Sequence, residues 1–223
     1  MSSRALTLIL AATPSLGIGK NGTLPWPQLK KEMGYFARVT KRVSPREGKG
    51  SERTRVNAVV MGRKTWDSIP EKFRPLKGRV NIVVSRSPGA WGKGGKTEGA
   101  VEGPFVVGSV QAALEQLHGL YTSSSNPESD PQIDVDRIFI IGGATLYTSA
   151  LELPQTDRIL LTKIKREYEC DTFFSVDLDK EGSGWKKAGR RELEEWTGES
   201  IGEEGVVEQD VGFEFGMYER VKG

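Results

Sequence analysis

The sequence is poor in the side chains on which many metal and redox sites depend. Among 223 residues it has one cysteine, Cys170, and one histidine, His118. A single cysteine excludes an intrachain disulfide, a cysteine-rich zinc site and a CxxC redox pair, and a single histidine excludes the HExxH zinc motif. We therefore expect no metal site, and a reducing, cytoplasmic location.

A strong net charge and a long apolar run are also missing. The chain has 32 Lys and Arg against 30 Asp and Glu, a formal net charge of +2, which argues against a nucleic acid as partner. The apolar run at residues 5–12 is much shorter than the roughly 18 residues of a membrane span. It predicts a buried strand rather than a signal peptide or a membrane segment.

Short apolar runs that do not alternate are separated by helical patterns. Strands are predicted at Leu6–Ala12, Asn57–Met61, Val80–Ser85, Phe105–Val107, Arg137–Ile141 and Arg158–Ile164. Helices are predicted at Pro27–Thr40, Arg63–Ile69, Val110–Leu120 and Ala144–Glu152. This order predicts an α/β fold with a mixed, mainly parallel central sheet and flanking helices.

The rest of the chain has weaker patterns. Partial alternation in Val211–Val221 predicts antiparallel edge strands at the C-terminus. Polar or glycine-rich composition predicts loops, to which we assign no role, at residues 44–55, 87–103, 121–133 and 180–210. Since no interdomain linker is visible, we expect residues 1–223 to form a single domain.

Glycines follow the first predicted strand. Gly17, Gly19 and Gly22 have the spacing of the dinucleotide fingerprint, but two prolines follow where that motif needs a helix. We interpret the segment as a glycine-hinged loop that ends in a rigid Pro-Trp-Pro and closes over a ligand. A plain surface turn is the alternative, and it does not explain why Leu24 and Trp26 follow a buried strand.

A carboxylate lies on the apolar stripe of the first predicted helix. Glu32 shares that stripe with Leu29, Met33 and Phe36. Burial would raise its proton affinity, which suits the binding of a protonated or amidine-like heterocycle. Helical geometry equally allows a glutamate at the helix edge that extends to solvent.

Three predicted strands end in groups that suit phosphates. Arg63 and Lys64 open a helix directly after one strand, and Ser85-Arg86 follows the next. Gly142-Gly143 lies between another strand and its helix, where a diphosphate can approach the backbone closely. Basic side chains that cap helices are more common at C-termini. Because the carboxyl ends of parallel strands share one edge of the sheet, the three groups together indicate a dinucleotide.

Five separated segments resemble dihydrofolate reductases, in the order of that family. They are Gly17–Trp26, Met61–Pro75, Leu76–Arg86, Ile141–Tyr147 and Asp171–Phe174. The resemblance extends over residues 5–221 and implies a monofunctional, eukaryotic-type, monomeric enzyme without a fused thymidylate synthase. It implies NADPH-dependent reduction of 7,8-dihydrofolate to tetrahydrofolate, and binding of antifolate inhibitors.

The resemblance also implies roles for residues at the substrate. Glu32 would bond the pterin amino group and ring nitrogen with support from Thr162, and Arg79 would pair with the folate α-carboxylate. Trp26 and Leu24 would shape the closing loop and hold the water that relays the proton to N5, while hydride passes to C6. The other implied substrate contacts are Ile9, Leu10, Met33, Phe36, Ser68, Ile69, Phe73, Leu76, Ile141 and Tyr147. Met33 and Phe73 depart from the residues common in the family and would line the entrance.

At the cofactor, the resemblance implies that four side chains hold the 2′-phosphate, and that Gly142-Gly143 contacts the cofactor across a cis peptide bond. The four are Arg63, Lys64, Ser85 and Arg86. The other implied cofactor contacts are Ala11, Ile18, Gly19, Lys20, Gly22, Thr65, Ser87, Ala144, Thr145 and Leu146.

Two other functions fit parts of the pattern. A pyrimidine reductase of riboflavin synthesis has the same fold, but would need neither a buried acid at Glu32 nor a carboxylate-binding Arg79. An NADPH-binding module without catalysis, or an RNA-binding regulator, would lack Glu32, Trp26 or Thr162, and all three are present.

Overall fold

The computed structural model describes residues 5–45, 54–91, 102–122 and 133–221. The strands are β1 (Leu6–Ala12), β2 (Gly17–Gly19), β3 (Thr54–Gly62), β4 (Arg79–Val84), β5 (Phe105–Val107), β6 (Ile133–Ile140), β7 (Thr156–Ile164), β8 (Thr172–Phe173), β9 (Trp185–Lys187), β10 (Val206–Glu208) and β11 (Val211–Arg220). The helices are α1 (Lys30–Lys41), α2 (Arg63–Ser68), α3 (Val110–Thr122), α4 (Ala144–Leu151) and α5 (Arg190–Thr197). Two 3₁₀ turns span Glu71–Phe73 and Pro88–Trp91.

Among the described residues, nine strands form the central sheet, in the order β10-β11-β7-β1-β6-β3-β4-β5 with β9 also paired to β11. The run from β7 to β5 is parallel, whereas β11 is antiparallel to β7. The predicted mixed, mainly parallel sheet is therefore confirmed. The predicted edge position of the last strand is wrong, because β9 and β10 both pair with β11 and cover it.

Two strands begin earlier than their apolar runs. β3 starts at Thr54 and β6 at Ile133, so both include polar residues that the prediction left in loops. The reason is charge pairing, since Arg55 lies opposite Asp134 in the ladder, 3.5 Å from its carboxylate, and also pairs with Asp136. The predicted loops at 44–55, 87–103 and 121–133 otherwise lie mostly outside the described residues.

The segment 180–210 was predicted as a loop, and this is wrong. It contains β9, α5 and β10. Its glycines bound the helix rather than interrupt it. Gly189 is the N-cap, with its backbone N–H donating to Glu192 Oε2 at 2.6 Å. Gly198 ends the helix in the left-handed region, at φ 68°, where glycine is the favoured residue.

Apolar side chains pack on both faces of the sheet. Along β1, Leu8 and Leu10 join the cluster on one face and Ile9 joins the cluster on the other, as the period of two in a strand requires. The Ile9 face carries α1 and α2 through Tyr35 and Trp66. In the described part of the chain, no helix is long and apolar enough to cross a membrane.

Candidate active site

Helix α1 begins at Lys30, three residues later than predicted. Leu29 is in the extended region, at φ −93° and ψ 103°. Its side chain is buried in a cluster with Trp26 and Phe213. That burial holds the chain extended up to Leu29, so the helix cannot begin at Pro27.

The buried stripe of α1 differs from the prediction at Met33 and at Tyr35. Tyr35, Val39 and Thr40 are buried, whereas Met33 is 42% exposed. The placement of Met33 on the buried stripe is therefore wrong. The stripe instead includes Tyr35, whose ring stacks on Phe215 with centroids 3.8 Å apart.

Glu32 faces the sheet and lies in a mostly apolar environment. Thr162, a buried residue of β7, donates a hydrogen bond from Oγ1 to Glu32 Oε1 at 3.2 Å. Burial raises the pKa of the Glu32 carboxyl to about 7, and the hydrogen bond from Thr162 acts in the opposite direction. Of the two interpretations of this residue, the buried acid agrees with the structure, and Glu32 holds a proton in part of the molecules at neutral pH.

Apolar side chains expected to wall the site pack on the same face of the sheet as α1. Four of the expected wall residues are partly buried and pack against the cluster that contains Ile9. They are Phe36, Ile69, Leu76 and Ile141. The Leu10 side chain packs in the cluster on the opposite face of the sheet from Ile9. Only backbone atoms of Leu10 are available to the Ile9 side.

Large exposed apolar side chains also occur in the segments expected to border the site. Leu24, Met33 and Phe73 are 53%, 42% and 53% exposed. Trp26, in contrast, is buried, with its ring edge-on to Tyr168 at 6.2 Å. Trp26 thus anchors the segment that carries Leu24. The Ser68 hydroxyl, expected at the substrate, donates to the Thr65 carbonyl at the end of α2.

Arg79 opens β4 and is buried, with an exposed fraction of 5%. Its Nη1 donates to Thr40 Oγ1 at 2.7 Å and its Nε donates to the Lys77 carbonyl at 3.3 Å. Burial lowers its pKa to about 10, so the guanidinium stays charged at neutral pH. The Glu102 carboxylate favours the charged form and partly offsets this effect of burial. A buried cation that is not held in a direct ion pair is costly, which suits an anionic ligand group.

Glu32 lies near the start of α1, and Arg79 contacts α1 near its end. Thr40, which contacts Arg79, lies eight residues after Glu32 on the same helix, or about 12 Å along its axis at 1.5 Å per residue. The acid and the guanidinium are therefore spaced for an elongated ligand with a ring at one end and a carboxylate at the other.

The other half of the site lies at the carboxyl ends of β6, β3 and β4, which are neighbours in that order. Gly62 and Gly143 are the N-caps of α2 and α4, and neither helix start has a side-chain cap. The Gly62 N–H donates to the Gly142 carbonyl at 2.7 Å, which brings the two helix starts together. The expected cis peptide bond at Gly142-Gly143 is confirmed. Two uncapped helix N-termini beside glycine backbone suit a diphosphate.

Cationic side chains continue this edge toward β4. Arg63, Lys64 and Arg86 are exposed, and Ser85 is buried with its Oγ accepting the Ser87 N–H at 3.2 Å. Charge of one sign on two adjacent strand ends suits a phosphate beyond the diphosphate. Of the remaining expected cofactor residues, Ala144 and Thr145 open α4 beside buried Leu146, Thr65 lies in the first turn of α2, and Ala11 lies on β1.

Tyr147 connects the two halves of the site. Its hydroxyl donates to the Ile9 carbonyl at 2.9 Å, and its ring meets Phe174 edge-on at 5.9 Å. A side chain added at Gly142, which has φ 109°, would place its Cβ 3.2 Å from that hydroxyl. Tyr147 therefore fixes α4 and the glycine pair against β1, and burial raises its pKa.

The segment after β1 is more ordered than the predicted hinged loop. Gly17–Gly19, including the expected cofactor residues Ile18 and Gly19, forms β2, which pairs with β8. Beyond it the Asn21 N–H donates to Asp171 Oδ2 at 2.7 Å, and Lys20 pairs with Glu169 at 2.5 Å. Gly22 follows with φ 77° and open space where a Cβ would be. The loop is thus a short strand and a turn, held from the β8 side.

Sequence reasoning missed several residues that shape the site. Thr40 was predicted only as part of the buried stripe of α1. Its hydroxyl also accepts a hydrogen bond from Arg79 and so helps to position that guanidinium. Asp171 lay in a segment found by resemblance, with no role attached to it. Glu208, which accepts hydrogen bonds from the start of α1, is 178 positions from Lys30. No local sequence signal connects residues so far apart.

Comparison with known proteins places these features in a family. The family model described as dihydrofolate reductase matches residues 5–201. The chain is 41% identical to dihydrofolate reductase of Pneumocystis carinii over 97% of each chain. It is 42% identical to that of Bos taurus over 79% of this chain and 82% of the other. The solved structure of Schistosoma mansoni dihydrofolate reductase, 35% identical, covers 98% of this chain and 100% of its own at a TM-score of 0.68. The chain belongs to the dihydrofolate reductase family.

Proposed function

We propose that this chain catalyses the NADPH-dependent reduction of 7,8-dihydrofolate to 5,6,7,8-tetrahydrofolate. The observation that carries this proposal is Glu32, an acid with a pKa of about 7 that accepts a hydrogen bond from Thr162 among apolar side chains. A partly protonated carboxyl of this kind bonds the amino group and ring nitrogen of a pterin in a complementary pair.

The substrate lies along α1. The pterin ring bonds Glu32, with Phe36 and Ile141 among the walls, and the glutamate tail extends to Arg79 over the distance of about 12 Å that the helix sets. The buried Arg79 side chain presents its remaining N–H donors to the α-carboxylate, in a paired geometry that Lys does not offer. Met33 and Phe73 line the entrance.

The opposite half of the site holds the cofactor. The starts of α2 and α4 and Gly142-Gly143 contact the diphosphate. Arg63, Lys64, Ser85 and Arg86 bind the 2′-phosphate that distinguishes NADPH from NADH. When bound, NADPH supplies the hydride that reduces C6 of the pterin.

The protein's part in the chemistry is to orient, to exclude water and to deliver one proton. Glu32 holds a proton near neutral pH because its surroundings are apolar. Leu24 and buried Trp26 close the site beside it and retain the water through which the proton reaches N5. The hydrogen bond from Thr162 orients the Glu32 carboxyl for this role.

Other attributes of the protein follow as proposals. A single domain is supported by strands from both ends of the described chain, β1 and β11, which flank the same strand, β7. A cytoplasmic location is supported by the lone Cys170. We further propose that the protein acts as a monomer and binds antifolate inhibitors at Glu32. The pyrimidine reductase and the non-catalytic module have no support from the comparisons or from the intact acid site.

The test is the decay of NADPH absorbance on addition of 7,8-dihydrofolate, with NADH in parallel. We expect dihydrofolate-dependent decay with a clear preference for NADPH, and tetrahydrofolate as product. Bound NADPH that is not consumed with dihydrofolate would refute the proposal. An aminated ribosyl-pyrimidine substrate is assayed beside it, and activity there alone would favour the pyrimidine reductase.

A further inference from the structure

Helix α1, which carries Glu32, begins without a cap of its own. Leu29 occupies the N-cap position and has no side-chain hydrogen bond to the first turn. Leucine has no acceptor, so the first N–H groups of the helix must find one elsewhere.

That acceptor is Glu208, at the end of β10. Glu208 Oε1 accepts from the Lys30 N–H at 3.0 Å, and Oε2 accepts from the Lys31 N–H at 2.8 Å. The next residue, Gln209, donates from Nε2 to the Gln28 carbonyl at 3.0 Å, just before the helix. Two consecutive contacts from one hairpin therefore hold the start of α1.

The hairpin itself is sharply defined. Gln209 and Asp210 have φ of 50° and 59°, and Glu208 pairs directly with Val211 across them, as in a two-residue hairpin turn. The following strand, β11, pairs with β7 so that Phe215 lies opposite Thr162. The same strand thus positions both the helix cap and the hydroxyl that bonds Glu32.

The position of Glu32 in the first turn of α1 means that this cap affects the orientation of the Glu32 side chain. Counted from Leu29 as N-cap, Glu32 is the third helical residue. A glutamate at that position commonly folds back onto the N–H of the N-cap residue, here Leu29, beside the N–H groups of Lys30 and Lys31. Here Glu208 takes the N–H groups of Lys30 and Lys31, and the Glu32 carboxylate accepts from Thr162 instead.

We propose that Glu208 is a positioning residue for the reduction, because it caps α1 from the β10–β11 hairpin and leaves the Glu32 side chain free to face the substrate. This inference rests on the proposed role of Glu32 as the acid of the site. Without Glu208, the free N–H groups and the positive end of the helix attract the Glu32 carboxylate and favour its ionised form.

The pH dependence of the hydride-transfer rate can then be assigned to the titration of Glu32. The titratable groups that interact with it are Tyr35 on α1 and Tyr147 on α4, and burial raises the pKa of both, so that they stay neutral around pH 7. On β7, Thr162 contacts Glu32 through its hydroxyl, which does not titrate. A shift in the midpoint of the rate profile near pH 7 therefore reports on Glu32.

The experiment measures single-turnover hydride transfer between pH 5 and pH 9 in the full chain. In Glu208→Ala we expect the midpoint to fall by about half a pH unit and the rate at pH 7.5 to drop about threefold as a result. NADPH binding, measured separately, should stay within about twofold of wild type. Glu208→Gln, which keeps one oxygen acceptor, should lie between the two. Glu204→Ala removes a carboxylate from the exposed turn before β10 and should match wild type.

An unchanged midpoint in folded, NADPH-binding Glu208→Ala would overturn the proposal, since a merely structural cap changes stability without moving the profile. If that variant does not fold, the midpoint of Glu208→Gln decides. Glu32→Gln serves as a separate arm. A wild-type profile in Glu32→Gln would refute the role of Glu32 itself, whereas loss of the profile there with no shift in the Glu208 variants would refute the capping role alone.

Discussion

The Thr162 hydroxyl donates to Glu32 Oε1 at 3.2 Å, across 130 positions of the chain. This contact joins the central sheet to α1 at a carboxyl whose pKa burial raises to about 7. Thr162 moderates that rise, because a hydrogen bond to a carboxylate favours the ionised form. Burial and Thr162 therefore act in opposite directions on the proton that the reaction needs.

Replacement of the acid should change the pH dependence of the reaction. In Glu32→Gln we expect hydride transfer at pH 7.5 to fall by roughly 100-fold or more, because the amide cannot supply a proton. The rate should recover in part below pH 6, where the substrate is protonated from solvent. Stopped-flow measurement across pH tests this, and a variant with wild-type rates at every pH would remove Glu32 from the mechanism.

The same substitution should make the folded protein more stable at high pH. The folded-state pKa of Glu32 is about 7 and its ordinary value is 4.5. The folded state therefore binds this proton more tightly, and its contribution to stability is lost as pH rises from about 4.5 through about 7. Above pH 7, Glu32→Gln should gain about 1–3 kcal/mol in the free energy of unfolding. Urea titrations at pH 5 and pH 8 measure it.

The control for this comparison is Glu152→Gln, which removes an exposed carboxylate at the end of α4. It should leave the free energy of unfolding close to that of wild type at both pH values. A gain in Glu32→Gln that is equal at pH 5 and pH 8 would contradict a raised pKa at Glu32.

Substitution of the buried arginine should affect only substrates with a glutamate tail. Arg79→Leu should raise the KM for dihydrofolate by about 10–100-fold, the loss expected for a charge-assisted pair of about 1.5–3 kcal/mol. A dihydropterin that lacks the glutamate should show little change, and NADPH binding should be intact. Equal losses for both substrates and for NADPH would indicate a folding defect instead.

Choice of cofactor should depend on the cations beyond β3 and β4. In Arg86→Ala we expect the KM for NADPH to rise about 10-fold or more while the KM for NADH changes little, because only NADPH carries the 2′-phosphate. Arg191→Ala, which removes an exposed arginine on α5, is the matched control. Parallel rises for both cofactors would refute the assignment of Arg86.

The fold was largely predictable where burial on both faces makes a strand apolar throughout. β1, which is buried on both faces, has its predicted bounds, and so does the half-buried edge strand β5. β3 and β6 extend into polar residues because Arg55 pairs across to Asp134 and Asp136. The helix α5 was not predicted, because its buried face is little more than Leu193 and Thr197 among charged residues. Gly189 and Gly198, which were interpreted as interruptions of the segment, are the N-cap and the C-cap of this helix.

The candidate site was predictable in its residue types but not in its long-range contacts. Glu32 and the glycine pair were found from periodicity and position, because helical spacing and strand ends are local properties. The bond from Thr40 to Arg79 and the cap from Glu208 depend on how distant strands pair. Side chains along β1 alternate between the two faces of the sheet. Because β1 is apolar throughout, its sequence does not show which of its residues, such as Leu10, face away from α1.

The central place of β1 has a consequence for biosynthesis. Leu6 pairs with Ile138 on one side and Thr156 on the other, so β1 is synthesised more than a hundred residues before either of these partners. Until then Leu8 and Ile9 lack the neighbours that bury them in the folded protein. Contacts of such long sequence separation form slowly and leave apolar surface exposed to aggregation. We therefore expect the apolar side chains of β1 to remain incompletely buried until residue 164, where β7 ends, has left the ribosome.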